Sequence, residues 1–320
     1  YLGDLISNNG SNKPNLAKRL SSGWGRVSYI LGLVSEAPLG RWAIAAGLIL
    51  RKALLINSIL FNSEAWHNFT QNQVEAFEKI YEALIRGLVI GHAKVPVPAL
   101  YLERAQVPIR YILACRRLLY LQTILQRDPD ELVHKVYLAQ RADPSQGDFC
   151  LLVDNDRLLL DCCLTDEQIG QTSKYDFKIL VKKKAKEQAF RTLMAIKDTK
   201  TKMDNITYTN NFQTQPYITS ISRKMSSLLM ALRTRTCRGI RSDFGDMFPN
   251  KECPLAGCSQ PDSLPHTLAC QVLLAAVPEP SAVQYGDVFS DNVAVQEVAV
   301  NRFALLLEAR EQIQDRQDNR

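Results

Sequence analysis

Apolar residues recur at helical spacing along most of this chain, and short polar breaks divide the recurrences into a run of helices. Pro14 stands where a helix starts, and Leu16, Leu20, Trp24, Val27 and Leu31 follow at three- and four-residue steps, with Gly23 and Gly25 weakening the helix. Residues 39–61 are apolar on most sides, as a helix packed centrally among others is. Thr70 with Gln73 makes a capping box, behind which Val74, Phe77, Tyr81, Leu84 and Leu88 draw one stripe. Pro96 and Pro98 interrupt the pattern. Pro108 then opens a further helix through Ile109, Ile112, Cys115 with Arg116, Leu119 and Ile124.

A short helix is predicted over residues 129–141, and residues 143–148 have the composition of a loop or linker, where a soft domain boundary is expected. Ser173 and Asp176 cap a long helix whose core face is Phe177, Leu180, Val181, Ala185, Ala189 and Leu193, ending near Lys197. After a polar interval, Ile221, Met225, Leu228 with Leu229, and Leu232 mark another helix. Val298, Ala299, Phe303, Leu306 and Leu307 mark the last one, before a charged tail. The chain opens on Tyr1-Leu2-Gly3-Asp4-Leu5-Ile6, read as a short strand closed by the turn Asn8-Asn9-Gly10. The fold class is therefore mainly α, and the length of 320 residues suggests about two domains.

Two features change the picture from a plain helical protein. The first is charge. Residues 173–241 carry 16 Lys and Arg against 4 Asp and Glu, a balance of +12, whereas residues 1–172 balance at +1 and residues 242–320 at −7. Two basic patches stand out: Lys182, Lys183, Lys184, Lys186 and Arg191, then Arg233, Arg235, Arg238 and Arg241 at a helix exit. Such a concentration suits a nucleic-acid phosphate backbone, with a solvated helix face as the competing reading. Tyr175, Phe177, Phe190, Tyr208, Phe212, Tyr217 and Phe244 lie near enough in sequence to stack on bases, although those at helical spacing read mainly as core.

The second is the spacing Cys253-x4-Cys258-x7-His266-x3-Cys270, four soft ligands within eighteen residues. Zn2+ favours such a tetrahedral set, and four protein ligands leave no position for water, so the site reads as structural. Pro254 and Gly257 supply a turn between the first two cysteines. A helix starting near Leu264 or Pro265 points His266 and Cys270 to one face. Cys237 is a weaker substitute ligand, and the bland alternative makes the cysteines core thiols. The remaining cysteines are scattered through apolar segments and read as buried thiols of a reducing, intracellular compartment, nuclear and/or cytoplasmic. No apolar run approaches the ~20 residues of a membrane span. The start without methionine or signal peptide reads as a piece of a longer, non-secreted protein.

Tyr1-Leu2-Gly3-Asp4 with the Asn8-Asn9-Gly10 turn resembles the strand and turn that follow the palm in reverse transcriptases of non-LTR (LINE-type) retrotransposons. Further strings are similar to the post-palm region of such polyproteins and come in the same order: Asn62-Ser63-Glu64-Ala65-Trp66, Leu100-Tyr101-Leu102-Glu103, Pro108-Ile109-Arg110, and Arg116-Arg117-Leu118-Leu119-Tyr120-Leu121. After them come Gly147-Asp148-Phe149, Ser173-Lys174-Tyr175-Asp176-Phe177-Lys178, Leu232-Arg233-Thr234-Arg235 and the Cys-Cys-His-Cys module. The resemblance implies the end of a palm at residues 1–10, a helical thumb-like domain at 11–142, and a basic helical region at 149–241. A zinc module at 242–276 and a C-terminal helix with polar tail at 277–320 complete it. It also implies partners: template RNA and a DNA target or primer.

No Asp-Asp pair occurs in the chain, so the Mg2+-dependent nucleotidyl transfer of the family's palm is not assigned to it. No lysine follows Lys251, which argues against a terminal nuclease. The Cys-x4-Cys spacing is wider than the family's Cys-x2-Cys. Asp154, Asp156 and Asp161 read as a solvated loop, and Glu64 and Trp66 as architecture. The expected function is a non-catalytic, nucleic-acid-binding part of an RNA-directed DNA polymerase; a zinc-stapled helical protein-interaction module is the alternative.

Overall fold

The first apolar repeat folds as α1 (Lys13–Glu36) in the computed structural model, which describes residues 13–36, 42–65, 70–88, 95–208, 212–237, 240–241, 250–277 and 283–318. The strand and turn expected at residues 1–10, and Trp66, lie outside that range. Leu16, Val27, Ile30 and Val34 of α1 are buried, but Trp24 is half exposed, against the expected stripe. Gly23 takes the inward place instead. A Cβ there would lie 2.9 Å from Ile59 Cγ2 and 3.1 Å from Ile80 Cδ1, so the missing side chain is what lets the helices approach.

The described part of residues 39–61 holds α2 (Ala43–Leu50), one π-helical turn (Arg51–Ile56) and α3 (Asn57–Ile59). The π turn carries Arg51, whose guanidinium donates to Tyr81 Oη and Gln106 Oε1. Helix α4 (Gln71–Leu88) starts where the capping signal lies, with the Thr70 N–H donating to Gln73 Oε1 at 2.9 Å, and its whole expected stripe is buried. Pro96 caps the short α5 (Val97–Leu102) and Pro98 lies in its first turn, where a missing N–H costs nothing, while Pro108 precedes α6 (Ile109–Leu125). On α6 the expected face is only half-buried at Ile112, Cys115 and Leu119, whereas Leu113, Ala114, Leu118 and Leu121 lie deeper. The reason is that α6 is covered from two sides. Glu78 of α4 grips Arg110 through two bonds at 2.7 and 2.8 Å, and later helices cover the rest.

Those later helices are α7 (Leu132–Ala142), α8 (Phe149–Leu160), α9 (Asp166–Gln171) and α10 (Lys174–Lys197). Residues 143–148 form the expected loop, yet the apolar core runs across it: Leu118 and Leu121 of α6 cluster with Tyr137, Val153, Ile169, Phe177 and Val181. One apolar cluster thus spans the place of the expected boundary. The aspartates read as a loop are also corrected, because Asp154 and Asp156 lie on α8 and Asp161 is its left-handed C-cap. Asp156 is buried in a bidentate pair with Arg117 (Nη2–Oδ1 2.7 Å), and Asp154 pairs with Arg141 at 2.6 Å. Ser173 Oγ accepts from the Asp176 N–H at 3.1 Å to cap α10, whose buried face is Phe177, Val181, Ala185, Ala189 and Leu193 as the periodicity predicts, with Leu180 only half-buried.

Next come α11 (Tyr217–Ser220) and α12 (Arg223–Arg233). Here the core holds charge. Glu103, just past α5 and without solvent exposure, accepts from Tyr208 Oη at 2.9 Å, Tyr217 Oη at 3.0 Å and Arg233 Nε at 3.2 Å. Arg233 also donates to the Val288 carbonyl at 3.0 Å. Burial opposes its charge, but Glu103, Tyr217 and Tyr208 together outweigh that and hold the guanidinium above its ordinary pKa. The chain ends with α13 (Leu264–Ala269), α14 (Gln271–Ala276) and α15 (Val293–Asp318); the residues expected as a polar tail are helical as far as Asp318. Among the described residues the only strand-like pairing is one antiparallel bridge, Glu252 with Pro261, and no helix is long and apolar enough to cross a membrane.

Replacing Arg233 with Met leaves Glu103 buried without its cation, and urea denaturation is expected to show a loss of about 3–5 kcal/mol. Adding Glu103→Gln should recover part of it. A single-variant loss below about 1 kcal/mol, the range of an exposed pair, would contradict this assignment.

Candidate metal centre and basic face

The four residues singled out by spacing are brought together. Between Lys251 and Asp262 the chain doubles back, with Cys253 N–H donating to the Gln260 carbonyl at 2.8 Å and Asp262 N–H to the Lys251 carbonyl at 2.7 Å. The tip is closed by the Cys258 N–H to the Leu255 carbonyl at 3.0 Å, with Gly257 at φ +84°, a left-handed conformation that favours glycine. Ser263 caps α13 by accepting from the His266 N–H at 3.3 Å, which sets His266 in the first turn and Cys270 just past the last.

The sulfurs of Cys253, Cys258 and Cys270 and one ring nitrogen of His266 all lie within 4.8 Å of one another. Cys258 Sγ is 3.3 Å from His266 Nε2 and 4.0 Å from Cys270 Sγ. A tetrahedral ion 2.3 Å from each sulfur separates the sulfurs by about 3.8 Å, so the cluster has the dimensions to hold a metal ion. Burial pushes the Cys253 thiol up to about 12, with the neighbouring Cys270 and Cys258 sulfurs adding to it. A bound cation reverses that balance, because thiolates crowded together repel one another but bind the ion in common. Cys237 is buried in the main core, apart from this group.

The module rests on α15. Leu255, Leu273 and Val277 pack on Leu306. Asp262, wholly buried, accepts from Arg310 at 2.6 and 2.8 Å and from the Arg241 backbone N–H at 2.7 Å. Sequence reasoning missed both Asp262 and Arg310, since no local signal ties an aspartate to an arginine 48 residues away.

The basic residues divide differently from expectation. Lys182, Lys183, Lys186 and Arg191 are exposed on α10; Lys184 is half-buried beside Asp161 at 3.3 Å, and Lys183 reaches Glu187 at 3.9 Å. The second patch is not one surface. Arg233 is withdrawn from it, turned into the core by Glu103. Arg235 and Arg241 are half-buried, and Arg238 lies outside the described residues. Partial loss of solvent lowers the Lys182 pKa from its ordinary value, and Lys178, Lys52 and Lys186 repel its proton further. That marks Lys52 and Lys178 as parts of the same positive surface, which the sequence reading did not single out.

Comparison with protein-family models, with curated proteins and with solved structures finds no match for this chain.

Titration of the reduced protein with Co2+ is expected to give thiolate charge-transfer absorption saturating at about one ion per chain, the stoichiometry of a four-ligand site. Serine at Cys253 and Cys258 should abolish it; an unchanged spectrum in that variant would remove these cysteines from the site.

Proposed function

We propose that this chain is the thumb and C-terminal, nucleic-acid-binding part of an RNA-directed DNA polymerase of the non-LTR retrotransposon type, holding template RNA and primer or target DNA and catalysing nothing alone. The observation that carries the reading is the α10 face, where Lys182, Lys186 and Arg191 stand exposed with no ion pair among the described residues. The ordered series of retroelement-like strings supports it. In this reading the metal is Zn2+, structural, and it staples a small module too poor in core to hold itself. Mg2+ belongs to the palm of the parent polymerase. No disulfide joins the cysteines of the described residues, which suits a reducing intracellular compartment, nuclear and/or cytoplasmic.

The second reading, a zinc-stapled protein-interaction module, is favoured by one observation: Leu132 and Leu158, on α7 and α8, are 77% and 80% exposed. The basic face discriminates the two readings, because a protein docked on α7 and α8 does not need it.

Filter binding to RNA and to DNA over a salt series is expected to show affinity falling linearly on logarithmic axes. Glutamine at Lys182, Lys186 and Arg191 together should lower affinity at least tenfold at low salt and flatten the slope, by about 0.7 per lost phosphate contact on a single strand. No affinity at low salt, or an affinity indifferent to salt, would overturn the proposal.

A further inference from the structure

Tyr175, Ile179, Lys182, Lys186 and Phe190 follow one another on α10 at steps of three and four residues, so they share one ridge of the helix, about 22 Å long at 1.5 Å per residue. Tyr175 is 72% exposed and Ile179 49%, so the ridge interleaves open apolar surface with ammonium groups. Beside its C-terminal half runs a groove of about 1040 Å3. Phe190, Met194 and Phe212 form its floor, and Ile179, Lys182, Lys186 and Arg191 stand along it.

The floor is aromatic at its centre. The rings of Phe190 and Phe212 meet edge to face, 5.9 Å apart at 65°. Phe212 is held at φ +41°, a left-handed conformation disfavoured for a bulky side chain. The acidic residues in the groove are already engaged, Glu187 with Lys183 at 3.9 Å and Asp198 with Lys197 at 3.5 Å. Lys182, Lys186 and Arg191 therefore keep their field. Lys178 on α10 and Lys52 on the π-helical turn both repel the proton of Lys182, and Lys52 extends that field beyond α10.

Such a groove selects among anionic polymers. A duplex carries its phosphates outside and its bases stacked within, so it can touch the cations but cannot reach the floor. An unpaired strand presents phosphates and base faces together, and stacking on aromatic rings tolerates any base. Resting on the nucleic-acid reading above, we propose that this groove is a single-strand site: Lys182, Lys186 and Arg191 take successive phosphates, and an unpaired base stacks on Phe190.

Fluorescence anisotropy with the full chain tests it, using labelled 15-mers of uridylate and of thymidylate and a 15-base-pair DNA duplex. Both single strands are expected to bind about tenfold more tightly than the duplex. Phe190→Leu keeps the apolar volume but removes the ring face, and should weaken single-strand binding about tenfold, the effect of losing one stacked base, while leaving duplex binding unchanged. Phe190→Trp retains an aromatic face and should preserve the single-strand preference. If Phe190→Leu lowers the melting temperature, the Trp variant decides the matter, and loss of preference in it overturns the groove. A preference for uridylate over thymidylate would assign the site to RNA, and the reverse to DNA.

Equal affinity for strands and duplex, with Phe190→Leu harmless, overturns the single-strand site and leaves the nucleic-acid reading standing. No binding of any probe overturns both. Poly-L-glutamate displacing the strands as effectively as unlabelled thymidylate would show charge alone at work, and would overturn the stacking site.

Discussion

A carboxylate buried without solvent contact must find its counter-charge inside the protein, and Glu103 is such a group. It sits just past α5, between two phenols and the guanidinium of Arg233, so it draws the C-terminal end of α12 inward and ties it to the chain near Val288. Removing one partner of such a set is costly because the other remains buried and charged. Arg104 beside it is also wholly buried, and burial brings its pKa down to about 10. The protein thus commits its most central arginines to the core. The exposed cations of Lys182, Lys186 and Arg191 lie on α10 instead.

That division explains which features were legible in the sequence. The face of α10 was readable residue by residue, because a single period runs from Phe177 to Leu193 with a Ser173 cap in front of it. The cluster of Cys253, Cys258, His266 and Cys270 was readable because every ligand is local, and a turn and a short helix suffice to gather them. Arg233 was misread for the opposite reason: its partner lies 130 residues earlier, so the arginines after α12 looked like a surface. Asp156 with Arg117, and Asp262 with Arg310, are likewise long-range pairs. Periodicity says that a face is buried, not which charge waits opposite. Gly23 shows the same limit, since its weak helix propensity was visible but the close approach to Ile59 and Ile80 was not.

The C-terminal module follows a second local rule. A short loop and two six-residue helices bury few side chains of their own, so they lean on α15 through Leu306 and on the Asp262–Arg310 pair. Asp262 also accepts from the Arg241 backbone, which connects the metal module to the segment leaving α12. A cluster with the dimensions to hold a metal ion and a buried ion pair therefore lie on the same short stretch. The surface proposed to meet nucleic acid, on α10, is elsewhere.

The most direct measurement is ultraviolet crosslinking of an unpaired oligonucleotide to the full chain, followed by mapping of the attached peptides. The account predicts adducts on α10, at Tyr175 or Phe190, suppressed by salt in step with binding. Adducts confined to the metal module or α15, with α10 unmodified, would contradict it.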